Sequence, residues 1–267
     1  MAVLALDTSA SVAVSLVDED GARLASRTSD ERRRHAESLA PLITEVLAEA
    51  GIDRADLTAV VAGTGPAPFT GLRVGLVTAR TLALTLGVPV LGVPSLDALA
   101  VQAVSDLGLR PGAEILATSD ARRKEVYWAR YRVVAHEGPH GLPVVELLAG
   151  PDVDRAGFVA QAQLAPPDAA AGQLPVVIGE GAMLYPEFLP VADDAPLVPD
   201  ATVLARLALV RRAAGADQPS EPLYLRRPDV HEPARAGAGS TSGAGSTAGA
   251  GSTAGPGATS ASAGGAA

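Results

Sequence analysis

The chain begins with hydrophobic positions of the period that β-strands show. Residues 3–6 are apolar without interruption, and apolar side chains then alternate with small or polar ones from Val12 to Leu16. Alternation with a period of two is typical of a strand, and the acidic residues and glycine at 18–21 favour a tight turn. Residues 23–28 can form a third strand. The pattern predicts an N-terminal β-meander.

The period changes to that of an α-helix at residues 35–50. Apolar side chains recur there every three or four residues, and glutamates with one threonine fall on the opposite side. The apolar arc comprises His35, Leu39, Leu42, Ile43, Val46, Leu47 and Ala50. Ser29 and Asp30 can cap this helix, and Gly51 can end it. We expect a strongly amphipathic helix.

A strand, a helix and another strand follow. The strands are predicted at 57–62 and 88–93. The helix is predicted at 71–86, with Thr70 as its cap and Gly87 after its end. Because both strands are apolar along their length, we expect a parallel unit that is covered on both faces.

The second half of the chain predicts another α/β unit that echoes the first. Residues 114–134 read as two strands joined by a polar turn at 119–124. The remaining predicted elements are a strand at 144–150, a helix near 155–163, an apolar strand at 175–181, a helix at 203–214 and a closing strand at 222–228. We therefore expect an α/β protein.

The last 33 residues differ in composition from the rest. From Arg235 to Ala267 the chain contains only Ala, Gly, Ser, Thr and one Pro after the single Arg. No large apolar group is present to offset the entropy of ordering, so we expect residues 235–267 to be a disordered tail. The preceding residues suit two domains, at 1–100 and 101–234, and the helix at 203–214 can pack back on the first.

Charge and composition narrow the class of protein. The formal net charge of −9 has the wrong sign for a chain that grips nucleic acid with its own Lys and Arg residues. Cysteine is absent, which excludes disulfides and thiolate zinc sites and fits a reducing compartment. The chain starts without a basic leader, and its apolar stretch at 74–96 is broken by Arg80 and by several Gly and Pro residues. We expect a cytoplasmic protein without a membrane span.

The sequence GTGPAPFTGLRVG at 63–75 raises the question of a phosphate-binding loop. A P-loop has four residues between its glycines and then Lys with Ser or Thr, whereas five residues separate Gly65 from Gly71 and no Lys follows. Pro66 and Pro68 lack the N–H groups that would cradle a phosphate. A structural turn is therefore favoured over a nucleotide contact.

Two other clusters bear candidate chemistry. Asp7 and Thr8 follow the first strand and are weak candidates for a phosphate contact, although a hairpin turn is favoured. His136 and His140 have the spacing of two metal ligands on a helix, but the Gly-Pro pair between them favours a turn. We expect no catalytic residue, no bound cofactor and no metal.

The helix at 71–86 is apolar on two sides. Gly71, Gly75, Ala79 and Ala83 recur every four residues and allow one side to pack closely. The other side combines Val74, Val77 and Leu84 with threonines and Arg73. Two explanations stay open: the chain covers both sides itself, or a partner docks on Val74, Val77, Thr81 and Leu84.

Six segments in order carry a family resemblance: LALDTSASVAVSL, HAESLAPLITEVL, GTGPAPFTGLRVG, GVPVLGVPSLDALA, DARRKEVYWARY and EPLYLRRP. Over nearly all of residues 1–230 the chain resembles the bacterial TsaB (YeaZ) proteins. The resemblance implies a two-domain ASKHA fold, the fold of sugar kinases, Hsp70 and actin, in which each domain starts with a β-meander. Many relatives read GPGSFTG where this chain has GPAPFTG at 65–71, and the added proline stiffens that turn.

The resemblance also implies a function, namely threonylcarbamoylation of the adenosine beside the tRNA anticodon. In this family the related TsaD carries the active site and TsaB is its scaffold. TsaD has a His-x-x-x-His metal pair after the strand that matches 88–93, and Ser95 and Leu99 stand at those positions here. Because leucine cannot coordinate a metal, a non-catalytic subunit is expected. The alternatives are an ATP-dependent ASKHA kinase that uses Asp7 and Thr8, and an M22-type metallopeptidase.

A partner surface is the last implication of the resemblance. The family's helices that match 35–50 and 71–86 pack on the same helices of TsaD, or of a second TsaB when TsaD is absent. The expected interface residues are His35, Leu39, Leu42, Arg73, Val74, Val77, Thr81 and Leu84. A TsaE-like ATPase is expected to join through the complex, and tRNA to be contacted only indirectly.

Overall fold

Two β-sheets and six α-helices form the computed structural model, which describes residues 1–29, 35–164 and 174–226, without the side chains of residues 35 and 36. The strands are β1 (Ala2–Asp7), β2 (Val12–Asp18), β3 (Arg23–Ser29), β4 (Leu57–Gly63), β5 (Val90–Val93), β6 (Glu114–Asp120), β7 (Glu125–Ala135), β8 (Val144–Arg155) and β9 (Val176–Ile178). The helices are α1 (His35–Ala50), α2 (Phe69–Leu86), α3 (Ser95–Asp106), α4 (Ala156–Gln163), α5 (Glu180–Met183) and α6 (Ala201–Ala213).

The two sheets share one plan. The first has the strand order β3-β2-β1-β4-β5, and the second has the order β8-β7-β6-β9. In each sheet the first three strands form an antiparallel meander. A later strand then pairs in parallel with the first strand, as β4 does with β1 and β9 with β6. This arrangement confirms the predicted α/β ASKHA fold with a β-meander at the start of each half.

The first sheet is buried on both faces because its strands alternate between two apolar layers. Leu4 and Leu6 of β1 lie in one layer, beneath α1 and α2. Val3 and Ala5 of the same strand lie in the other layer, beneath α6. The period-two register of β1 therefore decides which helix each side chain meets.

The second sheet is covered in the same way. Ile115 and Ala117 of β6 pack in one layer with the apolar side chains of α3. Leu116, between them in sequence, packs in the opposite layer with Val159 of α4. Residues Met1–Pro228 form one compact unit, and its division near residue 100 stays a prediction.

The turns after β1 and β6 repeat one hydrogen-bond pattern. Oδ1 of Asp7 accepts a hydrogen bond from the backbone N–H of Ser9 over 2.7 Å. Oδ1 of Asp120 accepts one from the backbone N–H of Arg122, also over 2.7 Å. Each aspartate ends the first strand of its meander, so the two halves share a side-chain hydrogen bond as well as a topology.

Several predicted boundaries were wrong. Pro68 precedes α2 as its N-cap, so Thr70 lies inside the helix and does not cap it. The described part of the predicted closing strand, residues 222–226, is not a strand. Helix α3 had not been predicted, because it is buried around most of its circumference and lacks an amphipathic stripe. The helix cap at Ser29 and Asp30 and the tail at 235–267 include residues outside the described ranges.

Among the helices of the described ranges, none combines the length and the apolar composition that a bilayer crossing requires.

The buried Asp7 network and the exposed face of α2

Asp7 lies at the end of β1, where it is 1% exposed and linked to two serines. Its Oδ1 accepts hydrogen bonds from the backbone N–H and the hydroxyl of Ser9, over 2.7 and 2.5 Å. Its Oδ2 accepts a hydrogen bond from the hydroxyl of Ser95 over 2.5 Å. The carboxylate thus joins the turn after β1 to the first residue of α3, and buried polar groups with such partners stabilise the fold.

The glycine-rich loop after β4 is tied to the same network. The backbone N–H of Gly65 donates to the hydroxyl of Ser95 over 3.2 Å, and the N–H of Ser95 donates to the carbonyl of Gly65 over 2.8 Å. The N–H of Thr64 donates to the carbonyl of Val93 over 2.9 Å. Gly63, Thr64, Gly65, Pro66 and Ala67 are all buried. The donors of Thr64 and Gly65 therefore have partners inside the protein, which agrees with the geometry of a structural turn.

Thr8 fixes the start of α2 against β1. Its hydroxyl donates to the carbonyl of Gly71 over 2.8 Å and accepts from the N–H of Gly75 over 3.1 Å. A Cβ atom at Gly75 would overlap this hydroxyl, so the close approach requires glycine. Thr8 is 2% exposed. Neither Asp7 nor Thr8 can reach a phosphate in solvent without breaking these bonds.

Ser95 and Leu99, the two positions that the resemblance matches to metal ligands of TsaD, lie in the interior. Ser95 is 2% exposed and holds Asp7, while Leu99 is 1% exposed and packs in the core between α3 and the second sheet. His136 and His140 are exposed, and their Nδ1 atoms lie 3.2 and 2.9 Å from the carbonyl oxygens of Leu109 and Asp20, respectively. Within the described ranges, no group of three or more His, Asp or Glu side chains is arranged to hold a metal ion.

The exposed face of α2 carries large apolar side chains in contact with solvent. Val77 is 61% exposed and Leu84 is 84% exposed, while Thr81 between them is also exposed. Val77 and Thr81, together with Thr78, Leu82 and Arg54, line a groove of about 620 Å³. The opposite side of α2 is buried in the core at Leu72, Gly75, Leu76, Ala79 and Ala83. Two explanations were open for a helix that is apolar on both sides. In the described part of the chain no segment buries Val77 and Leu84, so the structure does not support the explanation that the chain covers both sides itself.

Helix α1 contributes less to this surface than its sequence suggested. Leu39 is 1% exposed and belongs to the protein's own core, so its side chain is not part of the surface. Leu42 is half-buried against the same core. His35 begins α1, but its side chain lies outside the described set. The exposed apolar surface therefore belongs mainly to α2.

Arg73 is held by an aromatic pair that sequence reasoning missed. The rings of Phe69 and Tyr224 stack with centroids 4.4 Å apart. The guanidinium of Arg73 lies 4.9 Å from the Phe69 centroid, and its Nε donates to the hydroxyl of Tyr224 over 2.8 Å. These contacts fix Arg73 beside the exposed face of α2. No local signal could reveal the pair, because 151 positions separate Arg73 from Tyr224.

Tyr224 belongs to a C-terminal segment, residues 218–226, that runs beside α2 and ends at the second sheet. Nη2 of Arg80 donates to the carbonyl of Ser220 over 2.7 Å. The N–H of Leu223 donates to the carbonyl of Thr64 over 2.9 Å. At the far end, Nη1 of Arg226 donates to the carbonyl of Ala121 over 3.0 Å. One side of α2 is therefore covered by this segment, and the side with Val77 and Leu84 is not.

A second, partly buried network lies at the junction of α3, α6 and the second sheet. The hydroxyl of Tyr131 donates to Oδ1 of Asp97 over 2.7 Å, and Nη2 of Arg211 lies 2.6 Å from Oδ2 of Asp97. Burial raises the pKa of Tyr131 well above its usual range, and the neighbouring negative charge of Asp97 raises this pKa further. The phenol therefore stays protonated at neutral pH and acts as a structural donor.

Comparison with known proteins agrees with the ASKHA fold and also indicates the family. Residues 25–184 match the family model described as TsaD: tRNA N6-adenosine threonylcarbamoyltransferase. The tRNA threonylcarbamoyladenosine biosynthesis protein TsaB of Escherichia coli is 30% identical over 234 residues, which cover 85% of this chain and 95% of that protein. An uncharacterized protein of Mycobacterium tuberculosis is 38% identical over 233 residues, 85% of this chain and 93% of that protein.

A solved structure agrees over a similar length. YeaZ from Pseudomonas aeruginosa superimposes with a TM-score of 0.66 at 32% identity, covering 84% of this chain and 99% of that one. The duplicated meander and the matched family model define the class, an ASKHA-type protein related to tRNA threonylcarbamoyltransferases. Within that class, the chain belongs to the TsaB (YeaZ) family of tRNA threonylcarbamoyladenosine biosynthesis.

Proposed function

We propose that this protein is a non-catalytic subunit in the synthesis of threonylcarbamoyladenosine on tRNA, where it binds and supports a TsaD-like catalytic subunit. The observation that carries the proposal is the exposure of Val77 and Leu84 on α2, at 61% and 84%, in a member of the TsaB family. A large apolar side chain gains about 1.5–3 kcal/mol when it is transferred from water into a packed interface. The described residues of the chain leave these two side chains in solvent. A partner that buries them is therefore stabilised in the complex.

The chemistry of the interior supports a role without catalysis. In this chain the side chains that could act on a ligand, Asp7 and Thr8, are 1% and 2% exposed and form hydrogen bonds within the protein. The hydroxyl of Ser95 donates a hydrogen bond to Asp7 and is not directed toward a ligand site. The reaction on tRNA is then the work of the partner, and the contribution of this chain is to stabilise that partner in its active form.

The same face has a second use when the partner is absent. Two copies of the chain can cover each other's α2 through an isologous contact, since each copy presents the same apolar stripe. The homodimer and the complex with TsaD then compete for one surface. A TsaE-like ATPase joins the assembly through the complex.

The test is co-purification of this chain with the TsaD-like protein of the same cell, followed by calorimetric titration of the pair. Val77→Glu places a carboxylate in the apolar contact, and we expect association to weaken by about a hundredfold or more, corresponding to about 3 kcal/mol. Val134→Glu is the matched control, because Val134 is 52% exposed on β7 of the other sheet. Thermal unfolding of both variants should match the wild type, since exposed substitutions usually change stability by about 0.5 kcal/mol or less.

Enzyme assays of tRNA modification separate the two parts of the proposal. When it is supplied with tRNA and an activated threonylcarbamoyl donor, the pair is expected to transfer the threonylcarbamoyl group to the adenosine of tRNA and release the activating group, with the modified nucleoside measured by mass spectrometry. Product formed by this chain alone would contradict the non-catalytic role. Undiminished association of the Val77→Glu variant would contradict the assignment of the docking face.

A further inference from the structure

A second exposed apolar surface lies on the helices of the second sheet, and docking through α2 does not account for it. It is a groove of about 580 Å³ between α4 and residues 184–188. Phe158 is 58% exposed there, Leu184 48% and Phe188 47%. The whole chain has three phenylalanines, and two of them line this groove. Two exposed phenylalanine rings in one groove are unusual in a chain with only 3% aromatic residues, and such a surface indicates a site of interaction.

Cationic side chains accompany the rings. Lys124 and Arg155 line the same groove, both are exposed, and neither forms an ion pair with another described residue. Arg122 and Arg123 precede Lys124 in the turn between β6 and β7 and are exposed as well, and Arg122 forms an ion pair of 3.0 Å with Asp120. Glu187 is the one acidic residue among those that line the groove. The groove is therefore a local cationic region on a chain whose formal net charge is −9.

The basic turn has a fixed conformation. Arg122, Arg123 and Lys124 have φ angles of 64°, 55° and 66°, in the left-handed region that non-glycine residues rarely adopt. Three hydrogen bonds hold this turn: Arg122 N–H to Asp120 Oδ1, Glu125 N–H to the Arg122 carbonyl, and Ala121 N–H to the Glu125 carbonyl. The cations are thus presented in a preformed arrangement, which lowers the entropic cost of binding an anion.

We propose that this groove contacts single-stranded RNA, with a base stacked on the ring of Phe158 or Phe188 and the adjoining phosphates beside Lys124 and Arg155. Exposed aromatic rings next to Lys and Arg are the combination by which proteins bind unpaired nucleotides, because rings stack on bases and cations neutralise phosphates. The carboxylate of Glu187 can accept a hydrogen bond from an amino group of the base. The inference rests on the proposed function, which brings tRNA to the complex. The sequence led us to expect that this chain contacts tRNA only through its partner, and the groove adds a direct contact.

Charge favours RNA over the other occupants of an apolar groove. A second copy of the chain in an isologous contact would bring Lys124 and Arg155 close to their own equivalents. An acidic protein segment with apolar anchors would satisfy the cations, but it would not require flat aromatic rings. The negative charge of the whole chain opposes RNA at long range, so the contact is short and weak in isolation and is measured best at low salt.

The test uses the full-length chain without a partner, so that it is independent of the docking proposal. A fluorescent 17-nucleotide anticodon stem-loop is titrated at about 50 mM salt, where electrostatic contacts are least screened, and ultraviolet cross-links are mapped by mass spectrometry. We expect weak binding with cross-links at Phe158, Tyr185 or Phe188. Phe158→Ala should weaken binding about fivefold or more through loss of stacking. The double variant Lys124→Glu/Arg155→Glu should weaken it further and reduce the slope of log Kd against log salt by about 1 to 2.

The control variant is Arg110→Glu/Arg212→Glu, which changes the net charge equally at two exposed positions outside the groove. Three results would overturn the proposal: no measurable RNA binding by the wild type, equal weakening by the control, or cross-links confined to other surfaces. Each is distinct from failure of the docking proposal, which is read from association with the TsaD-like protein. Circular dichroism of all variants establishes that they are folded.

Discussion

The hydroxyl of Ser95 donates a hydrogen bond of 2.5 Å to Oδ2 of Asp7 across 88 positions of sequence. Ser95 stands where the resemblance to TsaD places a metal ligand, and Asp7 ends the central strand of the first sheet. In this protein the two residues bind each other and the glycine-rich loop. A pair that could face a ligand therefore serves as an internal link between β1, α3 and that loop.

Removing this hydroxyl should destabilise the protein. Ser95→Ala takes one donor from the buried Asp7 carboxylate and the acceptor from the N–H of Gly65, and we expect a loss of about 1–3 kcal/mol in the free energy of unfolding. Urea denaturation measures this loss. Ser105→Ala, on the exposed side of the same helix, is the control and should change stability by about 0.5 kcal/mol or less. Equal stability of the two variants would show that the link is unimportant.

The glycine at position 75 should be intolerant of even a methyl group. An added Cβ would overlap the Thr8 hydroxyl, so Gly75→Ala should break the hydrogen bonds of Thr8 to α2 and lower both stability and Tm. This outcome opposes helix propensity, which favours Ala over Gly by about 1 kcal/mol. Gly157→Ala in α4 is the comparison, since its Cβ would make an ordinary contact of 3.5 Å with the ring of Phe188. We expect that variant to equal or exceed the wild type, and the reverse order would refute the packing argument.

Stability should fall in alkaline solution because of Tyr131. In the unfolded chain this tyrosine loses its proton near pH 10.0, whereas burial and Asp97 raise its pKa well above that value in the folded protein. Above pH 10.0 the unfolded state therefore binds fewer protons, and rising pH favours unfolding; below pH 10.0 this contribution is fully present. Tyr131→Phe should show a shallower alkaline decline in urea denaturation than the wild type. Identical slopes would mean that Tyr131 ionises with the same pKa in both states.

The two proposed surfaces should respond differently to salt. Association through Val77 and Leu84 buries apolar side chains, so its Kd should change little, or strengthen, as sodium chloride rises from about 0.05 to 0.5 M. RNA binding at Lys124 and Arg155 should weaken steadily over the same range because counterions compete for the phosphates. Parallel titrations with the TsaD-like protein and with the stem-loop make the comparison. A steep loss of protein association with salt would point to charged contacts away from α2.

Local periodicity was sufficient to predict the elements that have one buried face. The strands at the start of each half and the amphipathic α1 follow directly from periods of two and of three to four residues. The apolar residues on both sides of α2 were also visible in the sequence, although whether the chain or a partner covers the second side stayed open there. In each case a short window of sequence contains the whole signal.

Contacts between distant segments could not be predicted in this way. The bond between Asp7 and Ser95 and the stack of Phe69 on Tyr224 depend on how the chain crosses itself, which no local pattern encodes. A closing strand was predicted at 222–228, yet in its described part, residues 222–226, Pro222 lacks an N–H donor, and the N–H of Leu223 donates to the carbonyl of Thr64 in the loop after β4. The groove at Phe158 escaped prediction because its lining comes from three separated stretches of chain.

The C-terminal segment has one further consequence. It is the last part of the compact unit, yet it touches the beginning of the docking helix through Tyr224, its middle through Ser220, and the basic turn through Arg226. Truncation after residue 217 would remove no described strand or helix. It would remove the hydrogen bonds that link α2, the proposed docking helix, to the basic turn beside the proposed RNA groove. Residues 218–226 thus connect α2 to the turn after β6, and their loss is expected to let these two regions move independently.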